Sequence, residues 1–206
     1  DLIDNFCIPD SKIIINPNWV SKRFTRHLRG AKPTKIIDIL FVGRLEPQKN
    51  LLIFLEIVKE LTLSGVRLSV IFVGDGLQRE ELERWSKKHH INSIVTFVGF
   101  SDNPVRYFRR SKIFLLTSLY EGQPHAVIEA MRTGIPVVAL KSLGIDELVV
   151  HGKTGYIASD IHQAIGYLTN LLSDSSLREE LGYRGKTLAI NKYNKKNLLR
   201  IISYLV

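Results

Sequence analysis

Residues 36–50, IIDILFVGRLEPQKN, decide the fold class. The run IIDILFV is apolar almost without interruption, where a strand with one wet face would alternate, so it reads as a strand covered on both sides. It is followed at once by a glycine, two cations and a proline turn, and residues 49–63 then carry a helix-like pattern. The same sequence of events recurs down the chain. VRLSVIFV (66–73) precedes a helical stretch at 77–89, IVTFV (94–98) one at 103–110, KIFLLT (112–117) one at 124–133, and PVVAL (136–140) one at 145–150. Strands buried on both faces and alternating with helices imply a parallel sheet with helices on either side, the doubly wound α/β class. After GYIA (155–158), three more helical stretches are expected near 161–172, 175–190 and 194–205, with Asp160 and Asp174 as N-caps.

Upstream, KIIIN near residue 12 reads as a short strand, and SKRFTRHLRGAKPTK (21–35) is basic and broken by Gly30 and Pro33, as a connection would be. The expected organisation is an interdomain segment and linker over 1–34, a compact domain over 35–190, and a basic helix over 191–206. The chain has 206 residues, a net charge of +9 and one cysteine, Cys7, which reads as an ordinary apolar residue. That count excludes an internal disulfide framework and fits a reducing, cytoplasmic compartment. The longest apolar runs fall far short of the roughly 20 residues that span a bilayer. The positive charge suggests anionic partners: nucleic acid, phosphate ligands or anionic lipid. Nucleic acid is disfavoured, because the basic carboxyl-terminal stretch lacks interleaved aromatic platforms and any reader motif. Its lysines recur around Leu198, Leu199, Ile201 and Ile202, which suits either peripheral contact with an anionic membrane face or a helix packed on the domain.

In a sheet of this class, ligands sit beyond the carboxyl ends of the strands. The segments there are GRLEPQKN (43–50), GDGLQ (74–78), GF (99–100), SLYEGQP (118–124) and KSLGIDE (141–147). Gly43 allows close backbone approach, and Arg44 and Lys49 suit phosphate oxygens, or are simply solvated. Gly74 and Gly76 fail the dinucleotide fingerprint, whose third glycine would fall at Arg79, and mark a tight turn. Glu121 and Glu129 flank a Gly-Gln-Pro turn. Pro124 suits a helix start, which leaves Glu121 in the loop and Glu129 inside the helix. Carboxylates so placed suit vicinal hydroxyls, while helix N–H groups suit a phosphate between them; alternatively Glu121 caps the helix and Glu129 faces solvent or an arginine.

FVGRLEPQKN, VIFVGDGLQREELE, VTFVGFSDN, FLLTSLYEGQPHAVIEAMRTGIPVVA and HGKTGY together resemble the carboxyl-terminal half of retaining glycosyltransferases of family 4, enzymes built of two Rossmann-like domains in the B-type fold. The resemblance covers roughly residues 12–200. It implies a donor-binding domain that takes a nucleotide-sugar, with a preference for a UDP-sugar, for transfer to a glycan or lipid-linked acceptor. On that resemblance Arg44 and Lys49 bind the diphosphate, and Glu121, the catalytic candidate, contacts the donor sugar. Glu129 holds the ribose hydroxyls, and the backbone at Val98 and Gly99 receives the base. Gly43, Gly74 and the turn Gly122, Gln123, Pro124, His125, Ala126 and Val127 complete the donor site. Neither a metal nor another cofactor is implied. The acceptor domain of such enzymes precedes this half and is missing here, so the chain alone is expected to transfer no sugar. The alternative is a stand-alone nucleotide-binding or interaction module without catalysis. Two departures stand out: LGIDE (143–147) carries Leu143 and Asp146 where relatives have Gly and Pro, and His125 stands where a small or amide residue is common.

Overall fold

A computed structural model describes residues 24–25, 28, 33–34, 36–122 and 124–193. The expected strand near residue 12, Cys7, Gln123, most of the 1–34 segment and the helix at 194–205 lie outside these residues. The described chain is a six-stranded sheet, parallel throughout, with strand order β3-β2-β1-β4-β5-β6. The strands are β1 (Ile37–Val42), β2 (Val70–Val73), β3 (Val95–Phe97), β4 (Ser111–Leu116), β5 (Val137–Leu140) and β6 (Gly155–Ala158). The helices are α1 (Leu51–Leu63), α2 (Arg79–Lys88), α3 (Val105–Arg110), α4 (His125–Thr133), α5 (Ile161–Ser173) and α6 (Ser175–Lys192).

Strand alternation divides the apolar residues between two cores. Ile39 and Phe41 of β1, Val70 and Phe72 of β2, and Ile113 and Leu115 of β4 face one core with α1, α2 and α5. Leu40, Val73, Phe114 and Leu116 face the other, with α3, α4 and Ala189 of α6. Helix α1 buries Leu51, Phe54, Leu55, Ile57, Val58 and Leu61, a stripe at three- and four-residue spacing. Within the first core, Phe54 and Phe72 meet at 4.6 Å and Phe72 and Phe97 at 4.8 Å between ring centroids. The fully buried rings of Phe54 and Phe72 each contribute about 1.5–3 kcal/mol through burial. Both expected caps form: Asp160 accepts from the Gln163 N–H and Asp174 from the Leu177 N–H.

Two expectations need correction. The segment 145–150 is a single turn instead of a helix: the Leu148 and Val149 N–H groups both reach back to the Ile145 carbonyl, and the chain then proceeds through His151 and Gly152 to β6. Its apolar residues Ile145, Leu148 and Val149 are buried, and their spacing imitates a helix face although the segment is only long enough for one turn. Second, α1 does not begin at Lys49. Residues Pro47–Lys49 form a 3-10 turn, and Asn50, in the left-handed region at φ 51°, separates it from the helix.

Close backbone contact fixes the turn after β2. A Cβ on Gly74 would lie 1.8 Å from the Gly43 carbonyl oxygen, and its φ of 139° disfavours other residues. Exposed Gly166 within α5 meets nothing within 4 Å. Gly74→Ala is therefore expected to cost about 4 kcal/mol or prevent folding, whereas Gly166→Ala should stabilise by up to about 1 kcal/mol. Urea unfolding monitored by circular dichroism measures both.

Candidate functional site

The strand order reverses between β1 and β4, because the chain leaves β1 toward β2 on one side and later returns to pair β4 on the other. The loops that leave the carboxyl ends of those two strands diverge there, which is where a sheet of this kind leaves room for a ligand. Three hydrogen bonds join the loops. The Leu119 N–H donates to the Gln48 carbonyl at 2.9 Å, Gln48 Nε2 to the Tyr120 carbonyl at 2.8 Å, and Thr117 Oγ1 to the Lys49 carbonyl at 2.9 Å.

At their centre Lys49 Nζ lies 2.6 Å from Glu121 Oε1, with only 16% and 7% of the two side chains exposed. Ser118 Oγ donates to the same oxygen at 2.6 Å. Glu121 is thus held by a cation and a hydroxyl, and the helix-capping alternative does not occur: the residue before α4 is Pro124, and no side chain among the described residues caps the helix. The Glu121 backbone is held as well. Its N–H donates to the Leu143 carbonyl at 3.3 Å, and a Cβ on Gly144, at φ 84°, would come within 2.6 Å of its carbonyl oxygen. Leu143 itself is 82% exposed, so its side chain leaves the turn around Glu121 free.

The remaining candidates divide by position. Gly43 and Gly74 form the close backbone approach described above, and the Gly74 N–H donates to the Gly99 carbonyl at 2.8 Å. The Val98 N–H is used in the sheet, donating to the Phe72 carbonyl. Arg44 stands at the end of β1 but is 73% exposed and paired with Glu46 at 2.7 Å, apart from the Lys49–Glu121 pair. Gly122 is exposed, His125 opens α4 and is exposed, Ala126 is half-buried, and the Val127 side chain lies wholly in the second core. Any contribution of Val127 to a ligand would have to come through its backbone, and its N–H already donates to the Pro124 carbonyl at 3.1 Å.

Glu129 lies one turn inside α4. It is half-buried and has no hydrogen-bond or ion-pair partner among the described residues. Desolvation pushes its pKa from the ordinary carboxylate range up to about 7. Its folded pKa exceeds the unfolded value, so the neutral acid favours the fold fully below about pH 4.5, and that contribution is lost as pH rises through about 7. Sequence reasoning missed Thr117, Ser118 and Gln48. Ser118 had a signal, three residues before a strand-end glutamate; Gln48 and Thr117 act across the β1–β4 pairing and had none. Among the described residues no group of three or more His, Cys, Asp or Glu could hold a metal ion, and no helix is long and apolar enough to cross a membrane.

Residues 23–188 match the family model for glycosyl transferases group 1. The chain belongs to this family. It is 38% identical over 143 residues to the amylovoran biosynthesis glycosyltransferase AmsD of Erwinia amylovora, covering 68% of this chain and 37% of that protein. Among solved structures, the carboxyl-terminal domain of the glycosyl transferase group 1 protein LpcC from Francisella tularensis superposes with a TM-score of 0.68 at 23% identity, covering 86% of this chain and 95% of that one. Anabaena Alr3699/HepE, solved in complex with UDP and glucose, superposes with a TM-score of 0.73 at 21% identity over 82% of this chain and 48% of that one. These likenesses establish the B-type glycosyltransferase fold. The chain spans between 28% and 44% of the length of the curated relatives it matches.

Removing one partner of a largely buried ion pair leaves the other charge uncompensated, at a cost of about 3–5 kcal/mol. Lys49→Met is expected to destabilise by about 3 kcal/mol, and adding Glu121→Gln should recover most of the loss. A double-mutant cycle by urea unfolding measures the coupling; additive losses would show that the pair contributes nothing as a pair.

Proposed function

We propose that this chain is the nucleotide-sugar donor-binding part of a retaining glycosyltransferase that uses a UDP-sugar to build a glycan or lipid-linked product. The observation that carries the reading is the combination on one strand–turn–helix unit of an anchored glutamate, Glu121, with a half-buried one, Glu129, that has no partner among the described residues. A glutamate that is desolvated without a partner weakens the unliganded protein, and a vicinal diol donating two hydrogen bonds is the chemistry that would relieve it. The UDP found with HepE and the amylovoran biosynthesis in the name of AmsD favour the same assignment.

In this reading the ribose diol meets Glu129, and the base lies along the backbone at Val98 and Gly99. The diphosphate lies between the Gly43–Lys49 loop and the start of α4, where the N–H groups of His125 and Ala126 have no intrahelical acceptor. Lys49 has three N–H donors and gives one to Glu121, so two can serve phosphate oxygens without breaking the pair. Arg44 can leave Glu46 at little cost, since an exposed ion pair contributes about 0–1 kcal/mol. Charge collects on the diphosphate as the bond from the sugar C1 to its oxygen breaks, and these cations and N–H groups stabilise it there. Glu121, fixed by Lys49 and Ser118, presents its remaining oxygen to the sugar. The acceptor is held by another domain, and the described residues form the donor side of the reaction.

Two calorimetric outcomes are expected. Lys49→Ala should weaken UDP at least tenfold while changing uridine affinity little; an equal loss for uridine would refute a phosphate role. Hydrogen bonds from ribose favour the charged form of Glu129, so UDP affinity should rise about tenfold from pH 6 to pH 8, across a pKa of about 7. The phosphate also titrates near pH 6, so the contribution of Glu129 is the part of this rise that Glu129→Gln removes. An identical pH profile in both proteins would detach Glu129 from the ligand.

A further inference from the structure

At the opposite, amino-terminal edge of the sheet lies a recess of about 420 Å³. Its lining is strongly cationic: Arg109, Lys112, Arg132, Arg178 and Lys186 face it, against a single acid, Glu179. Some of these cations have structural duties. Lys112 pairs with Asp38 at 2.7 Å, and Arg178 donates to the Leu171 and Leu172 carbonyls at the end of α5. Arg132 and Lys186 differ. Arg132 Nε is buried and without a hydrogen-bond partner among the described residues. Lys186 is half-buried and forms no ion pair or hydrogen bond among them, its stem lying over the end of α4, with Cδ 3.6 Å from the point a Cβ on Gly134 would occupy.

A buried guanidinium nitrogen without an acceptor is costly, on the order of 1–3 kcal/mol, and desolvation lowers the Arg132 pKa. A water could satisfy Nε but would leave both charges without an ion-pair partner among the described residues. The carboxyl end of α4 supplies only about half a unit of negative charge. Leu28 and Pro33 also line the recess. The lining thus sets five cations against one acid on a concave, partly desolvated surface, where an anion gains most.

We propose that this recess is a second binding site, for a phosphate-class anion held by Arg132 and Lys186, at the end of the sheet remote from Lys49 and Glu121. The planar guanidinium fork and the lysine ammonium suit a phosphate monoester or a phosphodiester headgroup. The site requires no property of the carboxyl edge and stands whether or not a nucleotide-sugar binds there.

The test titrates methyl phosphate into the chain at constant ionic strength while backbone amide NMR signals are followed. Saturable shifts centred on Thr133, Gly134 and Ser175 are expected, with affinity at least tenfold weaker in Arg132→Gln/Lys186→Gln and signals of Lys49 and Glu121 unchanged by the substitutions. A parallel flotation assay compares vesicles of phosphatidylglycerol with vesicles of phosphatidylcholine. Saturable shifts from methyl phosphate identify a free phosphate ligand. Their absence, together with retention on phosphatidylglycerol that the double variant loses, identifies a lipid headgroup at the same site. Shifts confined to the carboxyl edge, or no saturable shift combined with equal vesicle retention of both proteins, would overturn the proposal.

Discussion

The pairing of β1 with β4 governs the molecule. Residues Ile39, Leu40, Phe41, Ile113, Phe114 and Leu115 are all fully buried, so neither strand can hold polar chemistry in its middle. Every candidate functional group is pushed to a strand end, and the reversal of strand order at this pair makes its two exit loops the ones that diverge. The Lys49–Glu121 contact exists because the pairing brings residues 72 positions apart in sequence to one point. Even the loop hydrogen bonds from Leu119, Gln48 and Thr117 depend on β1 and β4 being neighbours.

Much of this was legible in the sequence, for a physical reason. Strands buried on both faces leave continuous apolar runs, and IIDILFV and KIFLLT announced themselves by composition alone. Capping is equally local, which is why Asp160 and Asp174 were found. The turn at 145–150 was misread because burial of Ile145, Leu148 and Val149 follows helical spacing while the backbone makes one turn only. GYIA becomes a strand because β5 offers it a partner, a fact absent from its own four residues. At the site, the positions of Glu121 and Glu129 on either side of Pro124 could be inferred from turn chemistry. That Glu121 would be tied to Lys49 could not, since it rests on tertiary pairing.

Helix α4 links two contrasting environments. Its first turn faces the carboxyl edge beside Glu121, and its last turn ends at Arg132 and Gly134 over the cationic recess. Between them Val127, Ile128, Ala130 and Met131 are buried in the second core, and α6 seats Gly182 so closely that a Cβ there would lie 2.3 Å from the Gly134 carbonyl oxygen. Sliding the helix along its axis would break that contact.

Several of the bonds between loops at the carboxyl edge are main-chain to main-chain: Leu119 to Gln48, Gly74 to Gly99, and Glu121 to Leu143. A main-chain bond is indifferent to the side chain that its residue carries. Residues such as Leu119, Tyr120 and Leu143, with 58%, 58% and 82% of their surface exposed, can therefore be exchanged without moving the frame that presents Glu121. Such a frame lets the exposed side chains at this edge change while the architecture stays put.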